Sequence, residues 1–195
     1  MSANTLPELD FEPARAGELK SHDRSRLLNF LLRWEHLEAL HACLDFLLRN
    51  QPALVSLLDL RVRAYLAQNR PDEAWTIMQR RLDLKTSATA QMLLSRIYLA
   101  QGKLDVARQA AQALAQEQPA NIVAWEMLAE IELARGDVDA AFAASRRVSD
   151  INSQSRAYLL GMVAVYQARG DWVSASAYAV RLLRTLGVAE PKVAV

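Results

Sequence analysis

The sequence predicts an all-α protein, an α-solenoid of about five helix-turn-helix hairpins, on three observations. Gly102, Gly136 and Gly170 stand 34 residues apart, and Ala107, Ala141 and Ala175 repeat that interval. Each glycine separates two apolar-periodic runs of about a dozen residues, which is how a turn between two helices reads. With 52% apolar residues and only 6 glycines and 6 prolines among 195, the composition suits helices throughout. A fixed period of this size marks a repeat array. A single hairpin is too small to bury its own apolar face and must stack on its neighbours.

Taken in order, residues 1–20 are punctuated by Pro7, Pro13 and Gly17 and carry Glu8, Asp10, Glu12 and Glu18 against Arg15. They read as an acidic, mobile arm, with docking of Leu6, Leu9 and Phe11 on the first hairpin as the alternative. The solenoid is expected over 21–186, in units of about 21–54, 55–87, 88–121, 122–155 and 156–187, with a tail at 188–195. Ser21 reads as the cap of a helix over 21–33, and a second helix follows over about 36–49. Pro52 suits the first turn of the next helix, where its missing N–H costs nothing. That helix reaches about Gln68, and Asn69-Arg70-Pro71-Asp72 turns the chain into a partner helix ending near Leu84. Ser87 and Asn121 are expected to cap the third and fourth hairpins, and Asn152 or Ser153 the fifth. Carried back along the chain, the turn slot holds Glu35, Asn69, Gly102, Gly136 and Gly170. The small-residue slot holds Leu40, Ala74, Ala107, Ala141 and Ala175.

Trp125, Leu128 and Ala129 and the tyrosines Tyr65, Tyr98 and Tyr166 fall on the pattern W-x2-L-G-x2-Y…A-x3-F…P, and Pro119 lies close to its closing proline. Over 21–186 the chain therefore resembles the tetratricopeptide repeat (TPR) family, whose unit is a 34-residue helix hairpin. Asp72-Glu73-Ala74 and Leu104-Asp105 read like the family's start of the second helix. The first unit is the weakest match and is expected to act as a cap. Where the family places glycine or alanine at the tightest helix contact, this chain has Leu28, Val62, Ser95, Ala129 and Val163. Bulk there is expected to hold the helices of the first, second and fifth units further apart. The family's aromatic slot in the second helix holds Leu44, Met78, Ala111, Ser145 and Ala179. Arg61, Arg81 and Glu132 stand in slots that are normally apolar and are expected to be snorkelling or paired charges.

The resemblance implies a concave face, lined by the first helices of successive hairpins, that holds an extended or helical peptide segment of a partner protein. Projected onto that face, one ladder runs Asn29, Arg63, Arg96, Glu130, Ala164. A second runs Ser25, Asp59, Met92, Glu126, Leu160, and a third Arg33, Ala67, Ala100, Ala134, Ala168. The candidate peptide-binding residues are Asn29, Arg33, Asp59, Arg63, Met92, Arg96, Glu126 and Glu130. The family's clamp for chaperone C-terminal carboxylates, built on lysines and asparagines, is not matched. Two readings compete for the charges. Either Arg96 and Glu130 form an internal salt bridge worth little net, or a groove of two signs orients a peptide.

Little else in the chain carries chemistry. The net charge of +1 implies no bulk attraction to nucleic acid or an anionic membrane. The lone Cys43 reads as a buried hydrophobe. The longest mostly apolar run, 157–166, is half the length of a membrane span, and the N-terminus lacks a secretory pattern. A cytoplasmic protein is the expectation. Phosphate loops, dinucleotide fingerprints and paired C-x-x-C are absent from the sequence, so neither an enzyme nor a cofactor is expected. His36 and His41 lie about 140° apart around a helix, so with His22 they do not read as a metal site. The arginine pairs Arg80-Arg81 and Arg146-Arg147, and Arg181 with Arg184, read as solvated faces. The last helix carries Val173, Tyr178, Val180 and Leu183 beyond what its own unit would bury, where a repeat array normally ends in a polar cap. The alternative function is therefore a homo-oligomeric assembly scaffold associating through that helix.

Overall fold

The computed structural model describes residues 12–84 and 87–187, and among them the chain forms helices only. The chain divides into two compact units, Met1–Thr86 and Ser87–Val195. The first holds α1 (Arg15–Glu18), α2 (Ser21–Arg33), α3 (Leu37–Asn50), α4 (Val55–Ala67) and α5 (Pro71–Leu82). The second holds α6 (Ala88–Ala100), α7 (Leu104–Glu117), α8 (Ile122–Arg135), α9 (Val138–Asn152), α10 (Arg156–Ala168) and α11 (Trp172–Thr185). The fold class is thus the all-α hairpin solenoid that the period predicts. Residues 1–11, with Leu6, Leu9 and Phe11, and the tail 188–195 lie outside the described residues.

One local device makes every hairpin. The residue in the turn slot is left-handed in all five, with φ of 58° at Glu35, 54° at Asn69, 71° at Gly102, 81° at Gly136 and 72° at Gly170. The next residue's N–H then donates five residues back, from His36 to Leu31 O at 2.9 Å, Arg70 to Tyr65 O at 2.9 Å and Lys103 to Tyr98 O at 2.8 Å. Asp137 to Glu132 O and Asp171 to Tyr166 O repeat it at 2.9 Å. This left-handed cap closes the first helix, satisfies a carbonyl that would be orphaned, and aims the chain back along it. The second helix starts at once, and its small-residue slot is buried in every hairpin: Leu40, Ala74, Ala107, Ala141 and Ala175.

In the first unit, Leu28 and Leu31 of α2, Leu40, Cys43, Leu44 and Leu47 of α3, and Leu57, Leu60 and Ala64 of α4 share one core. Residues 12–20, expected as the end of a free arm, instead carry α1, whose Ala16 is buried in that core. A Cβ at Gly17 would stand 2.8 Å from the Phe46 ring, so glycine lets α1 lie against α3. Two start signals fall elsewhere than expected. Ser21 is already the first residue of α2 and makes no cap bond, and Pro52 sits in the turn before α4 rather than in its first turn. Pro71 does occupy the first turn of α5. Arg81, read both as a paired charge and as part of a solvated face, is 1% exposed and donates to Asp59 Oδ1 at 2.7 Å, so the pairing holds and the solvated face does not. Arg61 donates to Asp45 Oδ1 at 2.6 Å and to His41 O at 3.2 Å. Bulk at the tight contact has a smaller effect than expected: the α2–α3 pairing is sparse, but Val62 leaves α4 and α5 closely paired.

In the second unit, Ala107 and Ala111 of α7 pack with Met127 and Ile131 of α8, and Val148 of α9 with Tyr158, Leu159 and Met162 of α10. The fifth hairpin is closely paired despite Val163. Ser87 accepts from Ala90 N, and Asn121 from Val123 N, as the sequence predicts. Ser155, not Asn152 or Ser153, caps α10 by accepting from Tyr158 N at 3.1 Å. Asp137 and Asp171 cap the second helices α9 and α11 in the same way. Glu132 is 2% exposed and lies between Arg108, 2.5 Å away, and Arg135, 3.2 Å away. A repeated bridge joins successive hairpins 30 residues apart: Arg135 to Asp105, and Arg169 to Asp139. Trp125 is half-buried rather than enclosed, touching the cores on both sides of α8 while its indole N–H donates to Pro119 O at 2.9 Å.

Trp125→Ala should therefore destabilise by about 2–4 kcal/mol, toward the lower part of the range for aromatic truncation. Gly136→Ala meets no neighbouring atom and should cost only the left-handed conformation, about 1–2 kcal/mol. Glu35→Gly relieves the same strain and should raise the melting temperature, with a smaller rise for Asn69→Gly because Asn tolerates this region. Thermal melts of the four variants check the order; equal midpoints for Trp125→Ala and Gly136→Ala would break the repeat phasing.

Candidate functional site

The candidate residues fall into two sets, one in each unit. In the first, Asn29 of α2 is exposed and donates to Ser25 O at 2.8 Å, one turn back on the same helix. Arg33 of α2 and Arg63 of α4 are exposed. Asp59 departs from the expectation. Its carboxylate is bound by the buried Arg81 guanidinium and serves the core. In the second unit, Met92 of α6 also departs, because it packs against the cluster of Ala107, Ala111, Met127 and Ile131 and against that of Leu114, Ala115 and Ala124. Arg96 of α6 and Glu130 of α8 are exposed, and Glu126 of α8 is half-buried. Among the described residues no salt bridge joins Arg96 to Glu130, so the internal pairing read from the ladder is not formed. Ala100, Ala134 and Ala168 are exposed on the ends of α6, α8 and α10.

Glu126 and Glu130 are one helical turn apart and line a cleft of about 300 Å³ between α8, α9 and α10. Ser145 and Val148 of α9 also line it, and Leu160, Gly161 and Ala164 come from α10. Two short residues at repeat positions let α9 and α10 approach each other beside it. Where the second, third and fourth hairpins place Leu60, Leu93 and Met127, all buried, the fifth has Gly161. Where the first two place Leu44 and Met78, the fourth has Ser145. The helices come close at this point, since a Cβ on Gly161 would stand 2.8 Å from Ser145 Oγ. That hydroxyl is buried and has no hydrogen-bond partner among the described residues. Burial pushes the Glu126 carboxyl above its ordinary value; the Arg96 cation opposes this and the neighbouring Glu130 adds to it.

Neither Gly161 nor the orphaned hydroxyl of Ser145 was a sequence candidate. The signal was present in the period, as a glycine in a slot otherwise filled by large apolar side chains. On α11, Val173 is 81% exposed and Leu183 is also exposed, and Val180 is half-buried. Tyr178 is not an outward residue. It stacks on Tyr166 with centroids 5.5 Å apart and lies 3.3 Å from the Tyr158 hydroxyl, which with burial pushes its phenol up to about 12. Trp172, 66% exposed, and Leu186 add to this face without having been foreseen. The histidines are separated in role: His36 stacks on Phe30, and His41 meets Gln68 at 3.1 Å and the Tyr65 ring. Among the described residues no cluster of His, Cys, Asp or Glu could hold a metal ion, and no helix is long and apolar enough to cross a membrane.

The raised pKa of Glu126 makes its ionised form a burden on the fold at neutral pH. That burden is lifted as pH falls through the folded-state value, and is gone below the ordinary value, where the carboxyl is protonated folded or unfolded. Glu126→Gln should melt above the parent at pH 7, and the difference should close as pH is lowered toward 4, within the ordinary Glu range. Melts at several pH values check this, with Arg96 and Glu130 as the charged groups that face the side chain.

A family model for the tetratricopeptide repeat matches residues 60–122 and 93–155. No curated protein matches the chain. Among solved structures, a putative kinesin light chain from Podosopora anserina with nearly identical TPR-like repeats is similar, with 17% identity, a TM-score of 0.64, and 91% of this chain and 99% of that one covered. The MamA protein is similar at 17% identity and a TM-score of 0.57, over 82% of this chain and 88% of that one. PilW, a type IV pilus biogenesis factor, matches at 17% identity with a TM-score of 0.54, over 85% and 93% of the two chains. At such identities the likeness is one of fold. Together with the family match, the five left-handed turns and the buried small-residue slot, it supports one conclusion: the chain belongs to the tetratricopeptide repeat family.

Proposed function

We propose that the protein is a non-catalytic protein–protein interaction module that holds a peptide or helical segment of a partner against its first helices, as a scaffold, adaptor or chaperone. The observation that carries this reading is the composition of those helices on their outward side. In the second unit, exposed Ala100, Ala134 and Ala168 accompany Arg96 and Glu130, charges that make no ion pair among the described residues. In the first unit, Arg33 and Arg63 are exposed in the corresponding positions. Small side chains leave room for a partner's side chains, and charges without internal duty set its direction. Asp59 and Met92 are left out of this surface because the core uses them.

Charge reversal of Arg33, Arg63 and Arg96 together should abolish partner capture in an affinity purification without lowering the melting temperature. Capture that is unchanged in the reversed variant would remove the reading.

A second reading, self-association through α11, is favoured by Trp172 and Val173. Trp172 stands in the slot where Leu104 and Val138 are half-buried, and Val173 in that of Asp105 and Asp139, which bind the arginine of the following hairpin. An apolar residue has replaced the bridging acid at the last hairpin. Under this reading light scattering at high concentration shows a dimer or larger species that Trp172→Glu with Val173→Glu dissociates; a monomer throughout would sink it.

A further inference from the structure

We infer that the cleft between α8, α9 and α10 is a socket for one cationic side chain of the partner peptide, an arginine in preference to a lysine. The inference rests on the groove reading above and adds the chemistry of one residue of the ligand. Three observations converge on it. Two carboxylates, Glu126 and Glu130, stand one turn apart on the same wall, and burial raises the first of them. The Ser145 hydroxyl, 1% exposed, lines the cleft and meets no hydrogen-bonding group of the described protein. The opposite wall is apolar, with Leu160 exposed at α10 and Gly161 beside Ser145.

The chemistry of these groups selects the occupant. Like charges at i and i+4 repel and call for a cation, and Arg96, exposed on α6, acts on Glu126 without forming an ion pair with either acid. A guanidinium offers five N–H donors in a planar fork, enough to bridge two carboxylates and still donate to a hydroxyl oxygen. An ammonium offers three donors as a point charge, which suits one acid better than two. The methylene stem of either residue lies well along an apolar wall such as that of Leu160 while the charged head reaches the acids. A neutral polar side chain would leave the acids uncompensated, and an acidic one would be repelled.

The test uses the full chain and fluorescein-labelled alanine-based nonapeptides that differ at one central residue: arginine, lysine, or citrulline, the neutral isostere of arginine. By fluorescence anisotropy at low salt, the arginine peptide should bind at least about tenfold more tightly than the citrulline peptide, as loss of a charge-assisted bidentate contact requires. Glu126→Gln with Glu130→Gln should erase that preference. Ser145→Ala removes an unsatisfied hydroxyl, so it should leave the melting temperature no lower than the parent's while weakening the arginine peptide several-fold. Leu160→Lys, which plants a competing ammonium at the mouth, should also weaken it. Equal binding of arginine and citrulline peptides, no binding of either, or a preference that survives the double glutamine variant each overturns the socket. In all three cases partner capture that still depends on Arg33, Arg63 and Arg96 leaves the groove reading standing, whereas loss of that dependence brings down both.

Discussion

The fold depends on a single backbone state repeated five times. At the end of each first helix one residue enters the left-handed region, and the following N–H bonds five residues back. That geometry sets where the second helix begins and which of its residues meets the first. Because the turn comes every 33 or 34 residues, the small-residue slot from Leu40 to Ala175 falls at the same place in every hairpin and is buried every time. Glycine occupies the turn in the last three hairpins. Asn69 and Glu35 hold the same conformation at increasing cost, which is possible only because the flanking helices over-determine it.

Charge is used inside this fold as well as outside it. Arg81 with Asp59, and Glu132 with Arg108 and Arg135, place ionised groups where the repeat pattern calls for apolar ones. A buried pair of this kind adds little net stability, since desolvation offsets the attraction, but loss of one partner strands the other. The Arg81–Asp59 and Arg108–Glu132 pairs each tie one particular helix to another. Arg81 reaches from α5 to α4 within one hairpin, whereas Arg108 reaches from α7 to α8 between successive ones. The Arg135–Asp105 and Arg169–Asp139 bridges repeat the second of these connections at the exposed turns. They are more exposed than the buried pairs and hold less energy, but they recur at the same offset.

The period made the hairpins legible, because turn, small slot and helix boundaries all follow from one spacing. What it could not reveal is which side chain of a slot is spent internally. Asp59 and Glu126 stand in the same ladder, yet only Asp59 has a buried arginine within reach, and nothing in the spacing marks Arg81 as its partner. Met92 was read as outward because its slot is outward in the family, but a long flexible side chain at the margin of a helix folds into the nearest gap. Tyr178 is a similar case, drawn inward by Tyr158 and Tyr166. The helix starts were harder still. Ser21 and Pro52 lie near helix starts without serving as the cap or the first turn, and before α10 the polar residues Asn152, Ser153 and Ser155 all read as caps although only Ser155 accepts from the helix.

The cleft shows how a repeat protein can specialise without leaving its pattern. Glycine inside α10 costs about 0.5–1 kcal/mol against alanine, and it is required at 161 because a Cβ there would stand 2.8 Å from Ser145 Oγ. The Ser145 hydroxyl adds a further penalty, since a buried donor without a partner costs about 1–3 kcal/mol. Raising the pKa of Glu126 adds a third unfavourable term at the same spot. Two other buried polar groups are offset in place, Ser95 by its 2.8 Å bond to Ala107 O and Glu132 by its two arginines. Here three unfavourable terms converge on one cleft, and Arg96 offsets only that of Glu126 and only in part, which is the arrangement expected where the compensating group belongs to another molecule.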